Sequence, residues 1–175
     1  MTLLDPIDID LLAFIKTGKF DYIKLGQTKE WILNNFPDPD DTSKGDLKSS
    51  IWRYGNIEFH FDNNDKLFLI FSDYIDTLDG GPSLRLHKWI FDRPKELSLT
   101  NVVRQLAVER ISYKLEYVVL PNEYTSIAIY SLGSGVKLSF VQPESDDEDY
   151  DQYIDRLKGA DSNLFQLSSF SFMTQ

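Results

Sequence analysis

The sequence contains no cysteine and only two histidines, at positions 60 and 87. The missing cysteine excludes disulfides, thiolate nucleophiles and cysteine-based zinc sites, and two histidines leave little for a histidine metal site. Lys and Arg number 18 against 28 Asp and Glu, which gives a net charge of −10. Because phosphates and anionic lipids are recognised by basic surfaces, this balance argues against nucleic-acid binding and against docking on a membrane.

Long apolar runs are also missing, and none approaches the roughly 20 residues that cross a bilayer. The first ten residues hold three Asp and no Lys or Arg, which is atypical of a secretion signal. The apolar fraction of 42% is ordinary for a globular chain, and 175 residues suit a single domain spanning 1–175. We therefore expect a cytoplasmic globular protein without a cofactor or a bound metal.

Hydrophobic periodicity predicts a mixture of helices and hairpins. The predicted helices are 7–17, 28–36 and one opening at Leu99; the predicted strands are 51–54, 57–61, 66–71, 113–120, 125–131 and 136–141. Gly55-Asn56 between alternating runs is typical of a two-residue hairpin, and Gly133–Gly135 marks a second hairpin. Residues 37–49 are turn formers and predict an exposed loop, while 83–93 fits either a strand or a short helix.

The order of these elements predicts an α+β fold, with an antiparallel sheet and helices packed on one face. A helix followed by three strands occurs twice at an offset of about 70 residues, which favours two tandem units at 7–78 and 83–142. Chance recurrence of a common pattern is the alternative. Residues 145–175 stand apart, because a capping box predicts a C-terminal helix and the apolar residues 164–172 predict a segment docked on the body.

Two clusters of acids are the candidate binding residues. They are Asp38, Asp40, Asp41, Asp147, Asp149 and Asp151. The first three follow Pro37 in the predicted loop, and the others belong to a run of seven acids between Glu144 and Asp155. Calcium-loop spacing in this run fails at Gln152 and Lys158, where Gly and Glu are required, so we do not expect a calcium site. Solvated acids without a ligand are one interpretation, and a docking face for a basic protein is the other.

Motifs for catalysis are sparse. Gly133-Ser134-Gly135 lacks the spacing of a nucleophile turn, and no Gly-Lys-Ser/Thr phosphate loop occurs. Glu58 and His60 share one face of a predicted strand, where they fit a base and its orienting carboxylate; a polar exposed sheet face is the alternative. We therefore expect a chain that is not an enzyme, and keep a small enzyme or ligand-binding domain around Glu58 and His60 as the second hypothesis.

Residues 17–38 read TGKFDYIKLGQTKEWILNNFPD, and residues 51–55 read IWRYG ahead of a Phe-rich hairpin. Over residues 16–72 this pattern resembles the SmpA/OmlA and beta-lactamase-inhibitor-like α/β unit, in which Leu-Gly-x-Thr caps a helix and Trp-x-Tyr lies on the first strand. A tandem pair would match the inhibitor arrangement, whose concave sheet binds a protein, although the inhibitors' disulfides are absent. By type, a small, acidic, cysteine-free chain also resembles bacterial immunity proteins. These resemblances imply a protein-binding module that neutralises a basic partner such as a nuclease toxin.

Overall fold

The computed structural model describes residues 5–44, 49–119, 125–142 and 164–174. The helices are α1 (Leu11–Thr17), α2 (Lys29–Asn35) and α3 (Leu99–Val108). The strands are β1 (Ile7–Asp10), β2 (Asp41–Lys44), β3 (Ser50–Tyr54), β4 (Ile57–Phe61), β5 (Leu67–Ser72), β6 (Leu84–His87), β7 (Tyr113–Val119), β8 (Thr125–Ser131), β9 (Lys137–Val141) and β10 (Gln166–Met173).

Eight strands form one sheet in the order β2-β3-β4-β5-β10-β9-β8-β7, and each neighbouring pair is antiparallel. Strands β1 and β6 form a separate parallel pair. The fold is therefore α+β with an antiparallel sheet, as the element order predicts. Both predicted hairpins are confirmed, and Gly55 has a φ of +60° while Asn56 has no positive φ, as a type II′ turn requires.

The last strand, β10, lies at the centre of the sheet. It joins the two halves, because Phe170 is opposite Ser72 of β5 and opposite Leu138 of β9. The ring of Phe170 is fully buried and meets Phe14 and Phe91 nearly edge-on, at centroid distances of 5.8 and 5.9 Å. Removing β10 would leave a four-stranded sheet (β2-β3-β4-β5) and a three-stranded sheet (β9-β8-β7), each with a newly exposed edge.

The predicted docking of residues 164–172 is confirmed for most of its apolar side chains. Phe165, Leu167 and Phe170 are buried, whereas Leu164 is 44% exposed and Phe172 is half-buried. Alternate side chains of a strand point to opposite faces, so one strand cannot bury its whole apolar set against one layer. The segment is part of the sheet, not a tail laid over it.

Side-chain caps begin both helices. At α2 the Thr28 hydroxyl accepts a hydrogen bond from the Trp31 amide at 3.2 Å, so Thr28 is the N-cap. At α3 the cap is Ser98, whose hydroxyl accepts from the Asn101 amide. These side chains satisfy amides that a helix leaves unpaired in its first turn.

Two predicted elements differ from the structure. The helix predicted over 7–17 is wrong for its first four residues, because Ile7–Asp10 forms β1 against β6, and the Asp10 carboxylate then caps α1. The loop predicted over 37–49 is wrong at Asp41–Lys44, which is strand β2 paired with β3. In both cases a strand partner distant in sequence or across a turn overrides a local preference.

The undecided segment 83–93 contains both structures. It forms strand β6, followed by a 3₁₀ turn at Trp89–Asp92. The predicted C-terminal helix at the start of 145–175 lies outside the described residues.

The buried apolar side chains of the helices and the sheet form one cluster. Residues before and after the Asp79–Pro82 turn contribute to it, so the two halves of the chain share a core. The buried side chains from the helices are Leu11, Phe14, Ile15, Ile32, Leu99, Val102 and Leu106. In the described ranges, none of the helices has the length and apolar character needed to cross a bilayer.

Helices α2 and α3 are attached to the sheet centre in the same way. The residue before each helix forms an isolated antiparallel bridge at the start of a central strand, Thr28 with Lys66 and Ser98 with Gln166. Two backbone bonds flank each bridge: Lys29 N to Asp65 O and Leu67 N to Gln27 O at α2, and Leu99 N to Phe165 O and Leu167 N to Leu97 O at α3, each of 2.9 Å. Strands β5 and β10 therefore fix both the sheet and the two helix starts.

We predict that Phe170→Ala lowers the free energy of unfolding by about 3–5 kcal/mol, because it leaves a cavity where β5, β9 and the Phe14 ring meet. The control is Met173→Ala in the same strand, where the side chain is 58% exposed and little stability should be lost. Urea unfolding measures both variants. Equal stability of the two would contradict a central position for β10.

Candidate protein-binding surface

The segment carrying Asp38, Asp40 and Asp41 is held by a buried anchor immediately before it. Pro37 is buried, and its carbonyl accepts a hydrogen bond of 2.9 Å from the Tyr54 hydroxyl. Burial raises the pKa of Tyr54, with further contributions from the nearby charges of Asp38 and Asp40, so the phenol stays protonated and keeps donating. All three aspartates that follow are exposed.

Asp40 has a structural task. Its Oδ2 accepts from the Gly55 amide at 2.5 Å, which ties the start of β2 to the β3–β4 turn. A Cβ at Gly81 would lie 1.9 Å from the same oxygen, and a Cβ at Gly55 would lie 2.4 Å from the Asp79 carbonyl oxygen. Close approach of three backbone segments thus explains the glycines, and Asp40 is the polar group that joins them.

Asp41 begins a charged network on the sheet. Its carboxylate lies 3.1 Å from the Arg53 guanidinium, which also donates to the Ser43 hydroxyl and, through Nε, to Glu58 at 3.0 Å. The hydrogen bonds to the two carboxylates raise the pKa of Arg53 against the opposing effect of desolvation. The Asp41 side chain is 64% exposed, so it stays available to a partner while Glu58 keeps Arg53 paired.

The contact predicted between Glu58 and His60 exists. His60 Nε2 lies 2.8 Å from Glu58 Oε2, and both side chains are about four-fifths buried. The imidazole edge also meets the rings of Phe68 and Phe71, each at 6.3 Å between centroids. Arg53 donates to the other carboxylate oxygen, so Glu58 accepts hydrogen bonds from two side chains. Among the described residues, His60 has no hydrogen bond to a hydroxyl or amine that could act as a nucleophile.

One row of outward-facing side chains crosses all eight strands of the sheet. In sheet order it contains Asp41, Arg53, Glu58, Phe71, Ser171, Lys137, Tyr130 and Lys114. None of these residues is buried, whereas most inward-facing residues of the six inner strands are. We call this set the open row. Its β2 end carries the acids and Arg53, its centre is Phe71, and its β7 end carries two lysines.

A shorter row beside the open row is mostly apolar. It contains Ile51, His60, Leu69 and Met173, again linked by cross-strand pairs. Ile51 and Leu69 are half-buried, and Met173 is 58% exposed. The two rows together give a partly apolar surface with charged residues around it, which is the composition of a protein contact surface.

The sequence reasoning overlooked Arg53 and Phe71. The signal for both was available, because strand alternation that puts Glu58 and His60 outward does the same for Arg53 between the buried Trp52 and Tyr54. The strand at 66–71 is apolar on both faces, which predicts a central strand or one covered on both sides. It is central, and its outward residue Phe71 keeps part of its ring accessible.

Of the six predicted binding residues, the structure brings Asp38, Asp40 and Asp41 together at the β2 end of the open row. Asp147, Asp149 and Asp151 lie outside the described residues. No group of three or more potential metal ligands occurs in the part of the chain that the structure describes.

Comparisons with protein-family models, curated protein sequences and solved structures return no match. The resemblance of residues 16–72 to the SmpA/OmlA and inhibitor-like unit therefore stays a prediction, as does the resemblance to immunity proteins. The surface, charge and contacts of the chain itself are what bear on its function.

We predict that Gly55→Ala is much more destabilising than Gly26→Ala. Both glycines have a positive φ, and forcing Ala into it costs about 1–2 kcal/mol. A Cβ at Gly26 meets nothing within 4 Å, whereas one at Gly55 overlaps the Asp79 carbonyl. Chemical denaturation measures the difference; equal losses would show that the turn does not pack on residues 79–81 as described.

Proposed function

We propose that this chain is a non-catalytic protein-binding module, most concretely an immunity-type inhibitor of a basic partner such as a nuclease toxin. The observation that carries the proposal is the position of Asp38 and Asp41. Both are exposed at the end of a sheet face whose centre, at Phe71 and Leu69, is partly apolar. A basic protein would be attracted by the acids and then bury the apolar part of the surface.

The charge of the chain supports this order of events. A net charge of −10 attracts a cationic partner over a Debye length of about 8–10 Å and raises the association rate. Specificity comes from the contacts formed afterwards, since exposed ion pairs add little affinity by themselves. The rigid anchor at Pro37 reduces the conformational entropy that the acidic segment loses on binding.

We propose that two tandem units present this surface, with their helices packed on the face opposite the open row. Each unit is extended from the predicted helix and three strands to a helix and four strands. The strand order β2-β3-β4-β5-β10-β9-β8-β7 is symmetric about its centre if β5 of the first unit corresponds to β10 of the second. Then β4 corresponds to β9, β3 to β8 and β2 to β7. The matching bonds at Thr28 and Ser98 support this correspondence. Under this correspondence β4 of the first unit matches β9 of the second. A constant offset of 70 residues would instead match β4 with β8.

A second candidate function uses Glu58 and His60 to bind or transform a small molecule. The 2.8 Å contact between them favours it, because a carboxylate that orients an imidazole is a recurrent part of acid–base sites. Under this hypothesis Glu58→Gln would abolish the activity or the ligand binding and leave association with a protein partner intact. Under the first hypothesis the same variant changes association only.

We predict that Asp38→Asn combined with Asp41→Asn slows association with the basic partner on the order of tenfold at low salt, with a weaker dependence on ionic strength. Asp40 is left unchanged because it holds the Gly55 turn. The control is Asp5→Asn with Asp92→Asn, which removes the same charge from exposed sites elsewhere. The partner is first recovered on the immobilised chain at low salt and released at high salt.

Stopped-flow or surface-based kinetics at two ionic strengths then measure the association rates. The corresponding change at Asp147, Asp149 and Asp151 is expected to have the larger effect, because that run carries seven of the acids. If both sets of variants associate like the wild type at low salt, the acids do not guide binding, and the acidic-surface proposal is wrong.

A further inference from the structure

Among the described residues, strand β7 is an edge strand without a neighbour on its outer side, and it is longer than the opposite edge strand β2. The sheet ends at β7 on one side and at β2 on the other. Strand β2 has four residues, includes Asp41 and Lys44, and follows two prolines, all of which discourage edge-to-edge pairing. Strand β7 has seven residues, and within the described ranges no strand lies beyond it.

The outward backbone groups of β7 can be identified from its pairing with β8. The Leu132 amide donates to the Ser112 carbonyl at 2.9 Å, so 112 and 132 form a hydrogen-bonded pair. Such pairs alternate along an antiparallel ladder, and residues 114 and 116 therefore also bond to β8. The N–H and C=O groups of Tyr113, Leu115 and Tyr117 consequently point to the open edge.

The side chains along this edge are self-complementary. Residues 113–117 read YKLEY, so an antiparallel second copy centred on Leu115 places Tyr113 opposite Tyr117 and Lys114 opposite Glu116. Leu115 then faces its own copy as a hydrogen-bonded pair, which its outward N–H and C=O allow. Leu115 is 37% exposed and Tyr117 63% exposed, and both would gain burial.

We propose that two copies of this chain pair antiparallel through β7 about a two-fold axis at Leu115, which extends the sheet continuously across both copies. The two-fold places two Lys114–Glu116 ion pairs across the interface, on the same face as Tyr130. This proposal is independent of the basic partner, because the β7 pairing uses none of the six candidate acids. Lys114 and Glu116 also form an ion pair with each other within the strand. A strand of another protein could occupy the same edge, but the symmetric order of residues 113–117 favours a second copy of this chain.

The test uses charge reversal at two positions and measures mass by sedimentation velocity. Lys114→Glu places carboxylates opposite each other in the pair, and Glu116→Lys places ammonium groups opposite each other. Each single variant is expected to weaken the dimer roughly tenfold to a hundredfold, since two like-charge contacts replace two attractive ones. The double variant Lys114→Glu with Glu116→Lys restores both attractive contacts and should dimerise like the wild type.

Mixing the two single variants is the decisive arm. In a mixed dimer each reversed charge faces an opposite charge, so an equimolar mixture should dimerise at concentrations where neither variant dimerises alone. Recovery also shows that both variants are folded. A wild-type chain that sediments as a monomer at about 1 mM overturns the proposal, because association would then be weaker than millimolar. The proposal is also overturned if the single variants dimerise like the wild type, or if the mixture stays monomeric. Either result would place any dimer contact outside β7.

Discussion

The pairing of β5 with β10 is the constraint on which the rest of the structure depends. It makes one eight-stranded sheet from two four-stranded parts, and it brings Phe170 against the Phe14 ring from α1. The starts of α2 and α3 are bonded to these same two strands. The positions of both helices, and hence the closure of the core, therefore depend on a strand supplied by the last residues of the chain.

Much of the fold could be predicted because its determinants are local. The Gly55-Asn56 turn, the Thr28 cap and the strand alternation at Ile57–Phe61 each depend on neighbours within a few residues. The central place of β10 could not be predicted. Its apolar residues indicate that the segment is buried, but they do not indicate which strands it pairs with. Trp31 shows the same limit: its place beside Ile32 predicts burial, but the indole is 38% exposed.

In the candidate surface, too, contacts between near neighbours in sequence could be predicted and contacts between distant residues could not. The prolines around Asp38 predict its exposure, and the two-residue period of a strand predicts the meeting of Glu58 with His60. The contact of Asp41 with Arg53 depends on the register between β2 and β3, in a segment whose sequence predicts a loop. Asp40 differs most from expectation, because its partner, the Gly55 amide, lies 15 residues away in a hairpin turn whose sequence signal does not involve Asp40.

The packing of Asp40, Gly55 and Gly81 also limits how this sequence can diverge. A side chain at 81 would collide with the Asp40 carboxylate at 1.9 Å, and a shorter residue at 40 would give up the bond to the Gly55 amide. A Cβ at 81 would also lie 2.7 Å from the Gly55 backbone nitrogen, and Gly81 has a φ of +65°. Shortening residue 40 removes neither obstacle, so homologous chains should retain glycine at 81 whichever residue stands at 40.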